Sequence, residues 1–83
     1  MNYKITIDMT AVLPKIKNIK VNLSYFGNKS TILELEADNP DDACYLAYME
    51  FCDYIMRQDD SSETKKILKE IKNDFRVISL IEL

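Results

Sequence analysis

The chain has no histidine and no tryptophan, and its 83 residues include only one glycine, two prolines and two cysteines. Without histidine, it lacks the usual acid–base group at neutral pH and the commonest metal ligand. A single glycine, Gly27, rules out the glycine-rich phosphate-binding loops and the nucleophile elbow. We therefore predict that the protein is not an enzyme and that it binds no metal and no cofactor.

The two cysteines, Cys44 and Cys52, fall in one predicted helix, where two turns separate them by roughly 12 Å along the axis. That separation exceeds the reach of a disulfide, and two such thiols do not make a zinc site. Free thiols indicate a reducing cytoplasm. The sequence shows no signal-peptide pattern and no apolar run of about eighteen residues, so we expect no membrane span.

Alternating apolar and polar residues predict four strands. Three of them precede a long helix: Tyr3–Met9, Asn18–Phe26 and Ser30–Ala37. Gly27 and Asn28 predict a hairpin turn between the second and the third. The fourth, residues 76–83, is apolar on both faces, which is typical of a central or covered strand. Simple alternation places Val77 and Ile81 on the same face.

Two helices are predicted between the third and fourth strands. The first spans residues 39–58, with Asn39 as its N-cap and Pro40 at its first position. The second spans about 61–73, with Asp60 as the expected N-cap. The order β-β-β-α-α-β predicts a single α+β domain over residues 1–83. Its four-stranded, mainly antiparallel sheet carries both helices on one face, and the last strand runs antiparallel to the third.

The long helix has two apolar stripes where a surface helix needs only one. The stripe expected to face the sheet consists of Cys44, Ala47, Phe51 and Ile55. The second stripe, which has the spacing of a helix–helix seam, consists of Tyr45, Met49, Cys52 and Met56. This seam packs either against the second helix of the same chain or against a protein partner, most simply a second copy.

The formal net charge is −3, but the lysines are concentrated in the first part of the chain. An alternative function follows, in which a lysine-bearing sheet face binds nucleic acid or another anionic surface. The residues of that surface are Lys4, Lys17, Lys20 and Lys29. The sheet lacks the aromatic, glycine-rich motif of RNA-binding sheets, and we do not expect nucleic acid as the partner.

Residues 33–48, LELEADNPDDACYLAY, resemble a pattern found in small uncharacterised accessory proteins of tailed phages, including cyanophages. The resemblance implies an accessory protein that acts in a bacterial host cytoplasm, and it transfers no functional residues. The leading expectation is a small non-enzymatic interaction or regulatory protein that forms a homodimer through its long helix.

Overall fold

A three-stranded antiparallel sheet forms one layer of the protein, whose structure, a computed structural model, describes residues 1–17, 19, 21–22 and 29–83. The strands are β1 (Asn2–Asp8), β2 (Ser30–Glu36) and β3 (Arg76–Glu82). β1 lies in the centre and pairs antiparallel with both neighbours. The predicted α+β class and the antiparallel sheet are confirmed.

The sheet differs from the prediction in two respects. The predicted strand Asn18–Phe26 and its turn at Gly27 and Asn28 lie mostly outside the described residues, and of its described members Ile19, Val21 and Asn22 none is in a strand. The expectation that the last strand runs antiparallel to Ser30–Ala37 is wrong. β2 and β3 flank β1 on opposite sides and both oppose it, so they run in the same direction.

The inner face of β1 forms the centre of the core. Tyr3, Ile5 and Ile7, with Met9 directly after the strand, are all fully buried, as their alternation predicts. Burial of each such side chain contributes roughly 1.5–3 kcal/mol. The inward positions of β2, together with those of the helices, join the same apolar cluster.

β3 contains a β-bulge that the alternating pattern does not reveal. Its pairing with β1 shifts by one residue near the middle, so that Ile78 is an extra residue. Because of this shift, Val77 and Leu80 pack against the core, whereas Ile78 and Ile81 are exposed on the open face. The prediction that Val77 and Ile81 share a face is therefore wrong.

The long helix α2 (Pro40–Gln58) packs on β1 and β2. The predicted cap is confirmed, because the Asn39 side chain accepts a hydrogen bond of 2.9 Å from the Asp42 amide. The buried face of α2 begins one residue earlier than predicted. Ala43 is fully buried, whereas the predicted Cys44 is only partly buried. The remaining predicted members of that face are buried: Ala47, Phe51 and Ile55.

Two shorter helices complete the described part of the fold. The one-turn helix α1 (Leu13–Ile16) and the helix α3 (Ser62–Ile71) pack on each other, and α3 also packs on α2. A 3-10 turn at Lys72–Asp74 follows α3. The N-cap of α3 is Ser61, not Asp60 as predicted, because its hydroxyl lies within 3.3 Å of the Thr64 amide at the third helical position.

Candidate functional site

An apolar groove of about 310 Å³ lies between α2 and α3. Its floor is formed by two buried side chains, Cys52 from α2 and Leu68 from α3. Met49 and Met56 line the α2 side, and Met49 is 36% exposed. Methionine side chains are flexible and polarisable, so this wall suits an apolar partner of irregular shape.

Tyr48 fixes the geometry of the groove. Its hydroxyl donates a hydrogen bond of 3.0 Å to the backbone carbonyl of Leu68, which joins α2 to α3. Its ring stands edge-on to Phe75, with ring centroids 5.3 Å apart. Phe75 also contacts Phe51, at a centroid distance of 5.7 Å, so the aromatic cluster holds the end of α3 against the long helix.

The groove carries no negative charge at neutral pH. Burial, followed by the hydrogen bond to Cys52, raises the pKa of Tyr48 to about 12. Burial also raises the pKa of the Cys52 thiol, and the nearby Asp53 carboxylate adds to this effect. The pKa of Cys44 is raised by burial and by Asp41. Neither cysteine is therefore an activated nucleophile.

The rim of the groove on the α3 side is positively charged. Lys65 and Lys69 are exposed and stand one helical turn apart, where both line the groove. The sequence does not show that these lysines border an apolar groove. Tyr48 and Leu68 were likewise missed, because only the contact between two helices brings them together.

The predicted seam residues fall at three kinds of position. Met49, Cys52 and Met56 line the groove, and Cys52 and Met56 pack against the core as well. Tyr45 is 58% exposed and lies outside the groove, nearer the start of α2. There it borders a shallow hollow of about 450 Å³, whose other lining residues are Glu36, Ala37, Asp38, Asp42 and Leu46.

The described members of the predicted anionic-partner surface lie on different parts of the chain's fold. Lys4 is exposed on the open sheet face, where its neighbours across the strands are Glu34 and Ile81. Lys17 follows α1, and Lys29 precedes β2, next to Met9. Lys20 lies outside the described residues. The Glu34 carboxylate beside Lys4 offsets the positive charge of the sheet face at that position.

Within the described residues, no three side chains of the types that bind metals are grouped closely enough to hold an ion. None of the described helices is both long and apolar enough to cross a bilayer. No protein-family model, no curated protein and no solved structure matches this chain. The resemblance of residues 33–48 to phage accessory proteins therefore stays a prediction.

Proposed function

We propose that this chain is a small non-enzymatic interaction protein that assembles as a homodimer, with α2 of each copy seated against the α2–α3 groove of the other. The observation that carries the proposal is the groove itself, because three of the four predicted seam residues line it. α2 has an apolar surface that the described part of the chain does not cover. Met49 is 36% exposed and Tyr45 is 58% exposed. A chain of this size has a marginal core, so burial of that surface would add usefully to stability.

Charge complementarity favours α2 of a second copy as the occupant. Asp42 and Asp53 are exposed and stand seven residues before and four residues after Met49, at helical spacing on the same side of α2. When Met49 of one copy enters the groove, these carboxylates approach Lys65 and Lys69 of the partner. The apolar contact then supplies most of the affinity, and the charges fix the register.

The proposal includes a reducing cytoplasmic location, which is supported by the free state of Cys44 and Cys52. An accessory role in a phage-infected bacterium rests on the resemblance alone. Because the chain has no histidine and the groove holds no activated thiol, we propose binding without catalysis.

The assembly is tested by size-exclusion chromatography with light scattering at micromolar concentration. Met49→Lys should halve the assembled mass while the far-ultraviolet circular dichroism stays unchanged. Ile32→Lys is the matched control, because Ile32 is 56% exposed on the open sheet face, away from the groove. Phe51→Lys places a charge at a side chain that is 2% exposed and should unfold the chain.

Two results would contradict the proposal. One is a wild-type protein at the monomer mass of 9.7 kDa. The other is unfolding by Met49→Lys to the same extent as by Phe51→Lys, which would show that the stripe is internal packing. A charge exchange checks the orientation: reversing Lys65 and Lys69 to Glu should weaken assembly, and reversing Asp42 and Asp53 to Lys as well should restore it.

A further inference from the structure

The groove between α2 and α3 combines an apolar interior with a cationic rim. Its lining includes the side chains of Met49, Met56 and Leu68, which have no hydrogen-bond donor to offer a ligand. Lys65 and Lys69 border it on the α3 side, and both are exposed. None of the described residues that line the groove is acidic. A ligand that fits this groove therefore has an apolar body and a negative charge at one end.

The groove also has the size of a short alkyl chain. Its volume of about 310 Å³ lies at the lower end of the range for small-molecule sites. Met49, Cys52 and Met56 line it over two turns of α2, which is a length of roughly 10 Å along the helix axis. An extended alkyl chain advances by roughly 1.3 Å for each carbon–carbon bond, so about eight carbons match that length.

We propose that the groove binds the anion of a medium-chain fatty acid, with the alkyl chain between the two helices and the carboxylate at Lys65 or Lys69. Charge complementarity selects this ligand, because an alkylammonium ion of the same length would meet two like charges, and an alcohol would gain no ion pair. The lysine stems add apolar surface beside the chain. Exposed ion pairs contribute little, so the apolar contact supplies most of the affinity and the lysines select the sign of the charge.

A bound fatty acid would compete with α2 of a second copy. Met49 and Asp53 stand one helical turn apart on α2, so they offer the groove an apolar group with a carboxylate beside it. A fatty-acid anion has the same chemistry, and a groove that it fills is closed to α2. This control of assembly rests on the proposed homodimer, whereas the binding of the fatty acid does not.

The four methionines allow binding to be measured directly by methyl NMR. Met49 and Met56 line the groove, whereas Met9 is fully buried in the core and Met1 is 56% exposed just before β1. Octanoate, added below its micelle concentration, should shift the methyl signals of Met49 and Met56 and leave those of Met1 and Met9 in place. Equal shifts of all four signals, or no shift at millimolar octanoate, would overturn the proposal.

Chain length and charge test the two parts of the recognition. From butanoate through hexanoate to octanoate, the affinity should rise roughly three- to tenfold at each step, because each step buries two more methylene groups. Decanoate should gain little more, because its chain is longer than the groove. Octanol should bind more weakly than octanoate, and octylammonium most weakly. An affinity that does not rise with length, or equal affinities for octanoate and octylammonium, would also overturn the proposal.

Paired lysine variants test the position of the carboxylate. Lys65→Gln combined with Lys69→Gln should weaken octanoate binding roughly two- to fivefold and leave octanol binding unchanged. Lys66→Gln combined with Lys72→Gln is the matched control, because both lysines are exposed and neither is among the described residues that line the groove. Equal weakening by the two pairs would contradict the assigned position.

Light scattering in parallel separates this proposal from the homodimer. A protein that is monomeric without octanoate and still shows the methyl shifts supports the fatty-acid site and contradicts the homodimer alone. A dimer whose methyl signals do not respond to octanoate overturns the fatty-acid site alone. If both proposals hold, saturating octanoate should halve the assembled mass.

Discussion

Tyr48 on α2 acts as a cap for α3, and removing its hydroxyl gives a sharp test of the contact between the two helices. Leu68 lies in the last turn of α3, and the amide of the C-cap Lys72 donates to the Lys69 carbonyl. The Tyr48 hydroxyl donates to the Leu68 carbonyl at 3.0 Å. Tyr48→Phe keeps the ring against Phe75 and deletes only the oxygen, so packing changes little while the hydrogen bond is lost.

The expected cost follows from the burial of this bond. A hydrogen bond contributes roughly 0.5–1.5 kcal/mol net, and a buried carbonyl left without a partner costs about 1–3 kcal/mol. The groove beside Tyr48 is open, so water reaches the freed carbonyl and the lower values apply. We expect a loss of about 1–2 kcal/mol. Stabilities of roughly 0.05–0.15 kcal/mol per residue make this a large fraction of the total.

Urea unfolding followed by far-ultraviolet circular dichroism measures this loss as a lower midpoint with an unchanged slope. In thermal unfolding, each kcal/mol lowers the Tm by about 4–8 °C in a domain of this size. Tyr45→Phe is the matched control, because Tyr45 is 58% exposed and its variant should unfold as the wild type does. Equal midpoints for Tyr48→Phe and the wild type would refute the capping role.

The same hydroxyl predicts a dependence on alkaline pH. The pKa of Tyr48 in the folded protein is raised to about 12 by burial and by Cys52, whereas a tyrosine in the unfolded chain titrates near about 10. Above that lower value the unfolded state loses its proton first, so the wild type should lose stability as the pH rises from about 10 to 12. Tyr48→Phe should lose less. Burial also raises the pKa of Tyr3, so the variant retains part of the dependence.

Three further outcomes are expected from the same unfolding assays. Ser61→Ala should cost about 1 kcal/mol by removing the N-cap of α3, and a larger loss for Asp60→Ala would show that the cap is assigned to the wrong residue. Ile55→Ala should cost roughly 2–5 kcal/mol, because Ile55 is fully buried; a cost below 1 kcal/mol would mean that the core collapses around it. Hydrogen bonds from Ser61, first from its backbone amide, lower the pKa of Asp59. The ionised Asp59 carboxylate therefore stabilises the fold above about pH 4, and this stabilisation is lost as the pH falls through the lowered pKa. Acid titration of Asp59→Asn should show a shallower loss than the wild type, and parallel curves would contradict this.

Local patterns in the sequence predict most of the described elements. Alternation in Tyr3–Met9 gives both the strand and its buried face, and the cap chemistry of Asn39 and Pro40 gives the start of α2. The order β2-β1-β3 depends on pairing between distant segments. The alternation of residues within one strand does not show which other strand it pairs with. The bulge at Ile78 is likewise invisible, since a one-residue shift reverses the faces of a strand without altering its composition.

The candidate site was only partly predictable for a similar reason. Met49, Cys52 and Met56 follow from helical spacing within one segment. Their neighbours Lys65, Leu68 and Lys69 belong to another helix, and only the packing of α3 on α2 places them on the same groove. The periodicity of α3 shows which of its faces is apolar, but it does not show how much of that face remains open.

The central place of β1 also determines the order in which the sheet forms. We expect β1 to pair first with β2, because β2 is nearer to it in the chain than β3, whose Glu82 pairs with Tyr3. The long loop between β1 and β3 must close before that pairing is gained, so sheet completion is a late, entropically costly step that should limit the folding rate. Until then the second edge of β1 stays open, and a chain still being synthesised is exposed to wrong strand pairing.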